Sequence, residues 1–588
     1  MGGSLSATYA SSWQLECAAR FNCTSDGLVT ILGQATSCPA NSTIQSTPEI
    51  WGITYEACQA NCGMDMLIQK VEFSTAAIPL TTWLLPWIAL MAQLPFEADG
   101  WMDLLSACLC IGSPALATYS LALTTFNRGY IATKFHRLKE MVEKDTQRRY
   151  HYMVERINAA AFILQECQQC PMRANQRTGE LAELLVLNDP DRQNFWKIAA
   201  KDLKNTRRGF TYSFLAQVIL AFLTYLISFI AAVHDSLGSP DVGLQFASST
   251  VWSWMFPIVF GYIRVGSQYK AGAIKEALVD NVIIPQRDDS RNEAEVEVVY
   301  QKGLPDDREP NAQETSTLLP PADAVHLDRV RPPPTWWSID VRGDERREGP
   351  IFNYARILTW FAFADYLGRG FDTSIEQFRG QANIPVTTPE AAERCGFQQR
   401  EDLVAFMPWS DIPPAAIHHI CYAALLSLFV QWGTTGAAIF VAYYTPFVGI
   451  GCRSGSYLIY GIAATTSWLL LVFSNFISHA LMQRLEQKPE RNVGILGAVA
   501  VITRLLGKAL AIANAGWLIA SSVLEDIGTF QTCWCQTDAF QYHTSGWTPV
   551  FKGAADLRNV ASDVWIGGFM WSIVVCFVTI VIFAYGRH

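Results

Sequence analysis

The sequence predicts an all-α, polytopic helical membrane protein. Three observations carry this. Half of the 588 residues are hydrophobic and only 16% are charged, against about 25% charged in an average soluble domain. Several apolar runs reach or exceed the roughly 20 residues that a helix needs to cross a bilayer. The charges gather between those runs instead of being spread across them. The pattern predicts seven crossings plus a re-entrant hairpin over 101–126, with eight crossings as the alternative.

Residues 1–70 are polar and rich in turn formers, and no basic start followed by an apolar core marks a cleaved signal peptide. They carry Cys17, Cys23, Cys38, Cys58 and Cys62 together with two N-x-S/T sequons, at Asn22 and Asn41. Disulfides and glycans both require a lumenal or extracellular side, so this region is expected outside. The first span is expected over 76–95, with Trp83 and Trp87 suited to an interface. Trp101 to Phe126 follows and is long enough to cross, but Gly112-Ser113-Pro114 interrupts it, and proline removes a helix hydrogen bond there.

Residues 127–208 are basic and read as helices on the cytosolic side, by the positive-inside bias. Two spans are expected within 210–266, at about 210–233 and 246–266. The loop 270–350 is polar and charge-dense, with disorder expected over 286–347. It contains an acidic dileucine, Glu314 to Leu319, of the type that sorts proteins to endosomes or vacuoles. Residues 351–412 read as interfacial and cytosolic helices, because Arg356, Asp365, Arg369 and Asp372 make 351–380 too charged for a span. Three spans are expected within 415–524. An outer loop at 525–563 bears Cys533 and Cys535, and a last span and short cytosolic tail occupy 564–588.

These assignments bear on 101–126. With the N-terminus outside, a crossing there would put the basic 128–208 region outside, against the positive-inside bias. A hairpin keeps it inside. It also gathers Cys17, Cys23, Cys38, Cys58, Cys62, Cys452, Cys533 and Cys535 on the outer side, an even set as disulfides need, with the pairing left open.

Candidate sites are few. Arg504 and Lys508 lie one turn apart in the apolar run 492–524. Buried intramembrane cations line cavities, meet partners or contact anionic ligands; the alternative is snorkelling to the inner headgroups. Asp365, Asp372 and Glu376 are candidate partners for these cations. Asn475 and His479 form a weaker pair of candidates, and His418 and His419 open another span at its inner end. Cys167 and Cys170 make a single CxxC, short of the four ligands of a structural zinc site. No phosphate-binding loop, dinucleotide fingerprint, HExxH or GxSxG element is present. No catalytic residue, metal or cofactor is therefore expected. The net charge of −9 decides nothing, because the charges are segregated by segment, but no basic domain of nucleic-acid-binding type appears and no nucleic-acid partner is expected. The lipid bilayer is the expected partner, with the oligomeric state open.

LPWIALMAQLPFE at 85–97, GSPALATYSLALTTFNR at 112–128 and the Cys58-x-x-x-Cys62 element resemble uncharacterised multi-pass membrane proteins of filamentous fungi. The resemblance covers mainly residues 50–130. It implies a eukaryotic secretory-pathway membrane protein and brings no activity or site residues; the plasma membrane, or with the dileucine an endosomal or vacuolar membrane, is the expected location. Three function classes follow from the residues. The first is a channel- or transporter-like protein for an anionic or organic solute, from Arg504, Lys508 and the hairpin. The second is a receptor or scaffold with a disulfide-bonded, glycosylated ectodomain. The third is an integral-membrane enzyme or accessory protein of lipid or secondary metabolism.

Overall fold

A computed structural model of the chain describes residues 12–39, 42–62, 85–94, 96, 101–144, 151–168, 182, 184–186, 190–205, 211–234, 240–265, 354, 357–380, 387–396, 407–445, 449–487, 494–526, 529–530 and 532–585. The expected disorder over 286–347, the dileucine, the start of the first span, Asn41 and Cys170 lie outside these residues. The chain opens with α1 (Ser12–Ala18), β1 (Leu28–Val29), β2 (Gly52–Thr54) and α2 (Tyr55–Cys62). Then come α3 (Leu85–Met91), α4 (Trp101–Gly112), α5 (Pro114–Glu143), α6 (His151–Glu166) and α7 (Pro190–Asn205). The middle of the chain supplies α8 (Tyr212–Val233), α9 (Pro240–Trp252), α10 (Met255–Val265), α11 (Ile357–Gly380) and α12 (Thr388–Arg394). The last part supplies α13 (Pro414–Tyr443), α14 (Cys452–Gln487), α15 (Gly494–Asp526), the short α16 (Cys533–Gln536) and α17 (Ala539–Tyr542), β3 (Trp547–Thr548) and α18 (Ala554–Tyr585).

Five of these helices, α8, α13, α14, α15 and α18, are long and apolar enough to cross a membrane, and α4 with α5 makes a sixth if the bent pair counts as one span. Their outward faces are apolar. On α8, Leu215, Ile219, Leu223, Ile227 and Ile230 are all about half exposed or more. Contiguous exposed apolar surface of this extent suits contact with lipid. The interior holds the small and polar residues instead, among them Ser113, Thr118, Gln431, Thr434 and Thr435, all fully or almost fully buried.

The run expected as one span over 246–266 is two helices, α9 and α10, interrupted at Ser253 and Trp254. The Ser253 hydroxyl reaches the Thr250 carbonyl at 2.7 Å and the Ser572 hydroxyl at 2.8 Å. Such side-chain bonds compete with the helix backbone, and Pro257 sits in the first turn of α10, where its missing N–H costs least. Helix α11 covers most of the charged 351–380 region. It turns Trp360, Phe361, Ala364 and Phe371 inward, and Trp360 Nε1 donates to the Leu164 carbonyl at the end of α6.

A small cap closes one end of the bundle. Strands β1, β2 and β3 form an antiparallel sheet in that order, with Ile53 opposite Leu28 on one side and Thr548 on the other. Gly52 is required, because a Cβ there would sit 2.0 Å from the Thr548 carbonyl oxygen. Trp13, Phe21, Leu28, Ile50, Ile53 and Val550 fill a core of their own. Four disulfides staple it: Cys17–Cys62, Cys23–Cys38, Cys58–Cys533 and Cys452–Cys535. The last two fasten the cap to α16 and α16 to the start of α14. Near this capped end the Arg558 guanidinium also meets the His234 carbonyl, joining the start of α18 to the end of α8.

The opposite end is a helical layer made by the second half of α5 with α6, α7 and α11. A buried ion pair, Arg128–Glu166 at 3.0 Å, and a half-buried one, Lys134–Asp365 at 2.8 Å, hold it together. Asp365 also meets Arg369 at 3.0 Å, so it is committed to these two cations and not to Arg504 or Lys508.

Cys58–Cys533 is the one disulfide among the four that joins residues before the loop 270–350 to residues after it. A protease site engineered within 286–347 therefore gives two fragments that stay together on a non-reducing denaturing gel and separate on reduction. In Cys58→Ser the fragments separate without reductant. Separation of the unsubstituted fragments without reductant contradicts the pairing.

Candidate functional site: a broken helix inside the bundle

Helices α4 and α5 meet at Ser113 with a bend of 101°. This is neither a straight crossing nor a closed hairpin. Pro114 occupies the first position of α5, where its missing N–H is harmless, and the Ser113 backbone is non-helical. Gly112 is needed for a separate reason. A Cβ there would lie 1.8 Å from the Ala511 carbonyl oxygen, so only glycine lets α4 approach α15 this closely.

A break inside an apolar bundle leaves backbone groups without helical partners, and each must be satisfied by protein. Three neighbouring helices supply the partners. From α15, Asn514 Nδ2 donates to the Gly112 carbonyl at 2.8 Å and to the Tyr460 carbonyl at 3.0 Å. From α14, the Tyr460 hydroxyl donates to the Ile111 carbonyl at 2.6 Å. From α13, Gln431 Oε1 accepts from the Ala115 N–H at 3.2 Å, and Gln431 Nε2 donates to Thr435 Oγ1 at 3.0 Å. The Ser113 hydroxyl donates outward to the Ala464 carbonyl of α14 at 2.9 Å. All of these side chains are buried. Sequence reasoning missed Asn514, Gln431 and Tyr460. The available signal was an amide within each of two apolar runs.

The charged candidates lie elsewhere, in the seam between α14 and α15. Arg504 is buried, its Nη2 donating to Ser478 Oγ at 2.7 Å and its Nε to Ser474 Oγ at 3.3 Å. Ser474 in turn donates to the Ala500 carbonyl, and Ser467 to the Gly507 carbonyl, each at 2.8 Å. Serines at 467, 474 and 478 thus knit the two helices, and Arg504 joins that network. Lys508, one turn on, is also buried.

Asn475 and His479 are tie points for other segments. Asn475 Nδ2 donates to the Tyr354 carbonyl at 2.8 Å, and His479 Nε2 lies 3.0 Å from the Met407 carbonyl with Trp409 packed edge-on at 5.1 Å. His419 Nδ1 lies 2.9 Å from Asn127 Oδ1 on α5, whereas His418 is exposed. Cys167 is fully buried, unlike an accessible metal ligand or redox thiol.

A second polar feature lies where the cap meets the bundle. Arg453, Ser454, Gln536 and Asp538 line a narrow pocket beside the Cys452–Cys535 disulfide. Behind it Arg453 Nε pairs with Glu525 at 3.4 Å, and Tyr457 donates to the same carboxylate at 3.0 Å. Asp538 adopts φ 50° and its carboxyl abuts Gly449 and Gly451, where a Cβ would collide with it. Burial raises the Asp538 carboxyl to about 7, and the Arg453 charge offsets this only partly.

No protein-family model, curated protein or solved structure matches the chain. The geometry alone carries the functional argument.

Two predictions follow from the two polar features. Asn514→Leu leaves the Gly112 and Tyr460 carbonyls without this donor and should destabilise the bundle by about 1–3 kcal/mol, read as an earlier thermal unfolding transition in detergent. An unchanged transition contradicts the role given to Asn514. At Asp538 the folded state holds its proton more tightly than the unfolded chain. The stability of the cap therefore falls as pH rises between about 4 and about 7, and is level above that range. Asp538→Asn should abolish that slope in thermal unfolding scans, and an unchanged slope assigns it to another group.

Proposed function

We propose that this is a seven-crossing membrane protein, with the cap outside and the C-terminus in the cytosol, that moves a small polar or anionic solute. Several observations support the orientation. The four disulfides all belong to the capped end, and disulfides persist on the lumenal or extracellular side. Asn22 is exposed on the cap, and its Oδ1 accepts from the Thr24 N–H and hydroxyl, so its amide nitrogen is not used in that turn and suits a glycan acceptor. Arg137, Lys139, Lys144, Lys197, Lys201 and Lys204 lie at the opposite end, in keeping with the positive-inside bias.

Connectivity supports the count. Cys452 and Cys533 both attach to the capped end, so α14 and α15 between them make two crossings. Helices α8, α13 and α18 each run between the two ends. The interrupted α9–α10 pair provides another path, and the chain before Arg128 has to cross an odd number of times to join the cap to the opposite end. One crossing over 76–95, with α4 turning back at Ser113, satisfies this.

The observation that carries the transport reading is the helix break within the bundle. Discontinuous helices whose backbone ends meet side-chain amides deep in the membrane are the means by which transporters form solute sites away from lipid. Gln431, Asn514 and Tyr460 can exchange their bonds to the break for bonds to a solute. A receptor reading is favoured by one separate feature, the polar pocket at Arg453 and Asp538 beneath the cap.

Flux into reconstituted vesicles, over a panel of inorganic anions, small carboxylates and polyols, separates these readings. Transport predicts saturable uptake of at least one class, reduced by Gln431→Leu in protein that still unfolds cooperatively. Saturable binding without uptake of any class would instead support a receptor and reject transport.

A further inference from the structure

Helix α5 runs antiparallel to α13 from Ala115, opposite Gln431, to Asn127, opposite His419. The two contacts are twelve residues apart on either helix, about 18 Å at 1.5 Å per residue. Midway lies Ser120, two turns before Asn127 and therefore on the same face of α5. It is fully buried, and its hydroxyl has no hydrogen-bond partner among the described residues.

This is unusual for its own helix. Thr118, Thr124 and Thr125 each return their hydroxyl to the carbonyl four residues back, at 2.8 to 2.9 Å. That is the usual solution for a hydroxyl in an apolar helix. Ser120 does not adopt it. Asn127, also fully buried, spends its Oδ1 on His419 and leaves Nδ2 without a partner among the described residues. Two buried polar groups thus lie on the α13 face of α5 with unspent donors. Across from them α13 offers Ala423 and Ser427, both buried and small.

The ends of the seam differ. One reaches the helix break at Gln431. At the other, the His419 ring is ringed by Phe126, Phe361 and Tyr130, with centroids 5.8 to 6.1 Å away. No fixed charge faces the seam from the residues named. Arg128, the next residue along α5, is committed to Glu166. Hydroxyls, amides and one imidazole suit small neutral polar molecules, which supply acceptors to Asn127 and Ser120 without bringing a charge into an apolar bundle.

We propose that the α5–α13 seam takes up water and small neutral polar solutes and forms the passage from the helix break to the opposite end, with the His419 aromatic collar as its narrow exit. This rests on the transport reading and narrows its solute class to neutral, hydroxyl-bearing molecules.

The test starts from a variant in which only the eight disulfide cysteines are kept. Ser120→Cys is nearly isosteric, and Ala122→Cys, also fully buried on α5, is its control. Only a hydrated thiol ionises and reacts readily. Methyl methanethiosulfonate applied to reconstituted vesicles should label Cys at 120 and not at 122, and glycerol uptake should fall on labelling. A Cys at 120 as silent as that at 122, in protein with an unchanged unfolding transition, overturns the passage. If glycerol or another solute is still taken up by that silent protein, transport stands by another route. Labelling at 120 without uptake of any solute keeps a hydrated seam but rejects its role as a passage, along with the transport reading.

Discussion

The structure depends on one constraint: backbone polar groups in an apolar interior have to find partners within the protein. The chain breaks its helix at Ser113, between α4 and α5, and the surrounding helices are arranged around the consequence. Asn514, Tyr460 and Gln431 come from three different helices and converge on the same short stretch of backbone. Remove any one of them and a carbonyl or amide of the break loses its partner within the protein. Gly112 adds a steric condition to the electrostatic one, since α4 reaches Asn514 only by lying directly on the Ala511 carbonyl.

The cap extends this coupling along the chain. Cys58–Cys533 links residues 475 apart in sequence, and Cys452–Cys535 fixes the neighbouring loop to the start of α14. A disulfide closing so long a loop restricts the unfolded chain strongly in the chain-entropy account. The effect is to hold the capped ends of α14, α15 and α18 in one frame. The inner parts of the same helices then present Tyr460 and Asn514 to the break. The Arg453–Glu525–Tyr457 network lies between cap and bundle, so polar order runs from the disulfides towards the centre.

Much of the helical framework could be read from hydropathy. The runs read over 210–233 and 492–524 correspond to α8 and α15 within two residues at each end. The interruption at Gly112-Ser113-Pro114 was visible as residues that do not continue a helix. The even set of eight cysteines was visible too, because they are the cysteines of the segments expected on the outer side, but their partners were not, since pairing depends on the folded path of the chain. Asn514 and Gln431 illustrate the harder limit. A lone amide in an apolar run reads the same whether it faces a ligand, a neighbouring backbone or nothing. Arg504 drew attention by its charge, yet its partners are two serines one turn apart on another helix, and serines in an apolar run carry little signal. The break between α9 and α10 was hidden because the run around Ser253 and Trp254 is apolar enough to pass as continuous.

The central claim is that the helix break lies inside the membrane-embedded bundle and is held there by side chains of α13, α14 and α15. A cryo-electron microscopy map of the protein in a lipid nanodisc tests it most directly. The account predicts a turn at Gly112 to Pro114 within the lipid belt, with Asn514 against the Gly112 carbonyl and Gln431 against the start of α5. A single straight helix through 101–143, or a turn lying outside the lipid belt, would contradict it.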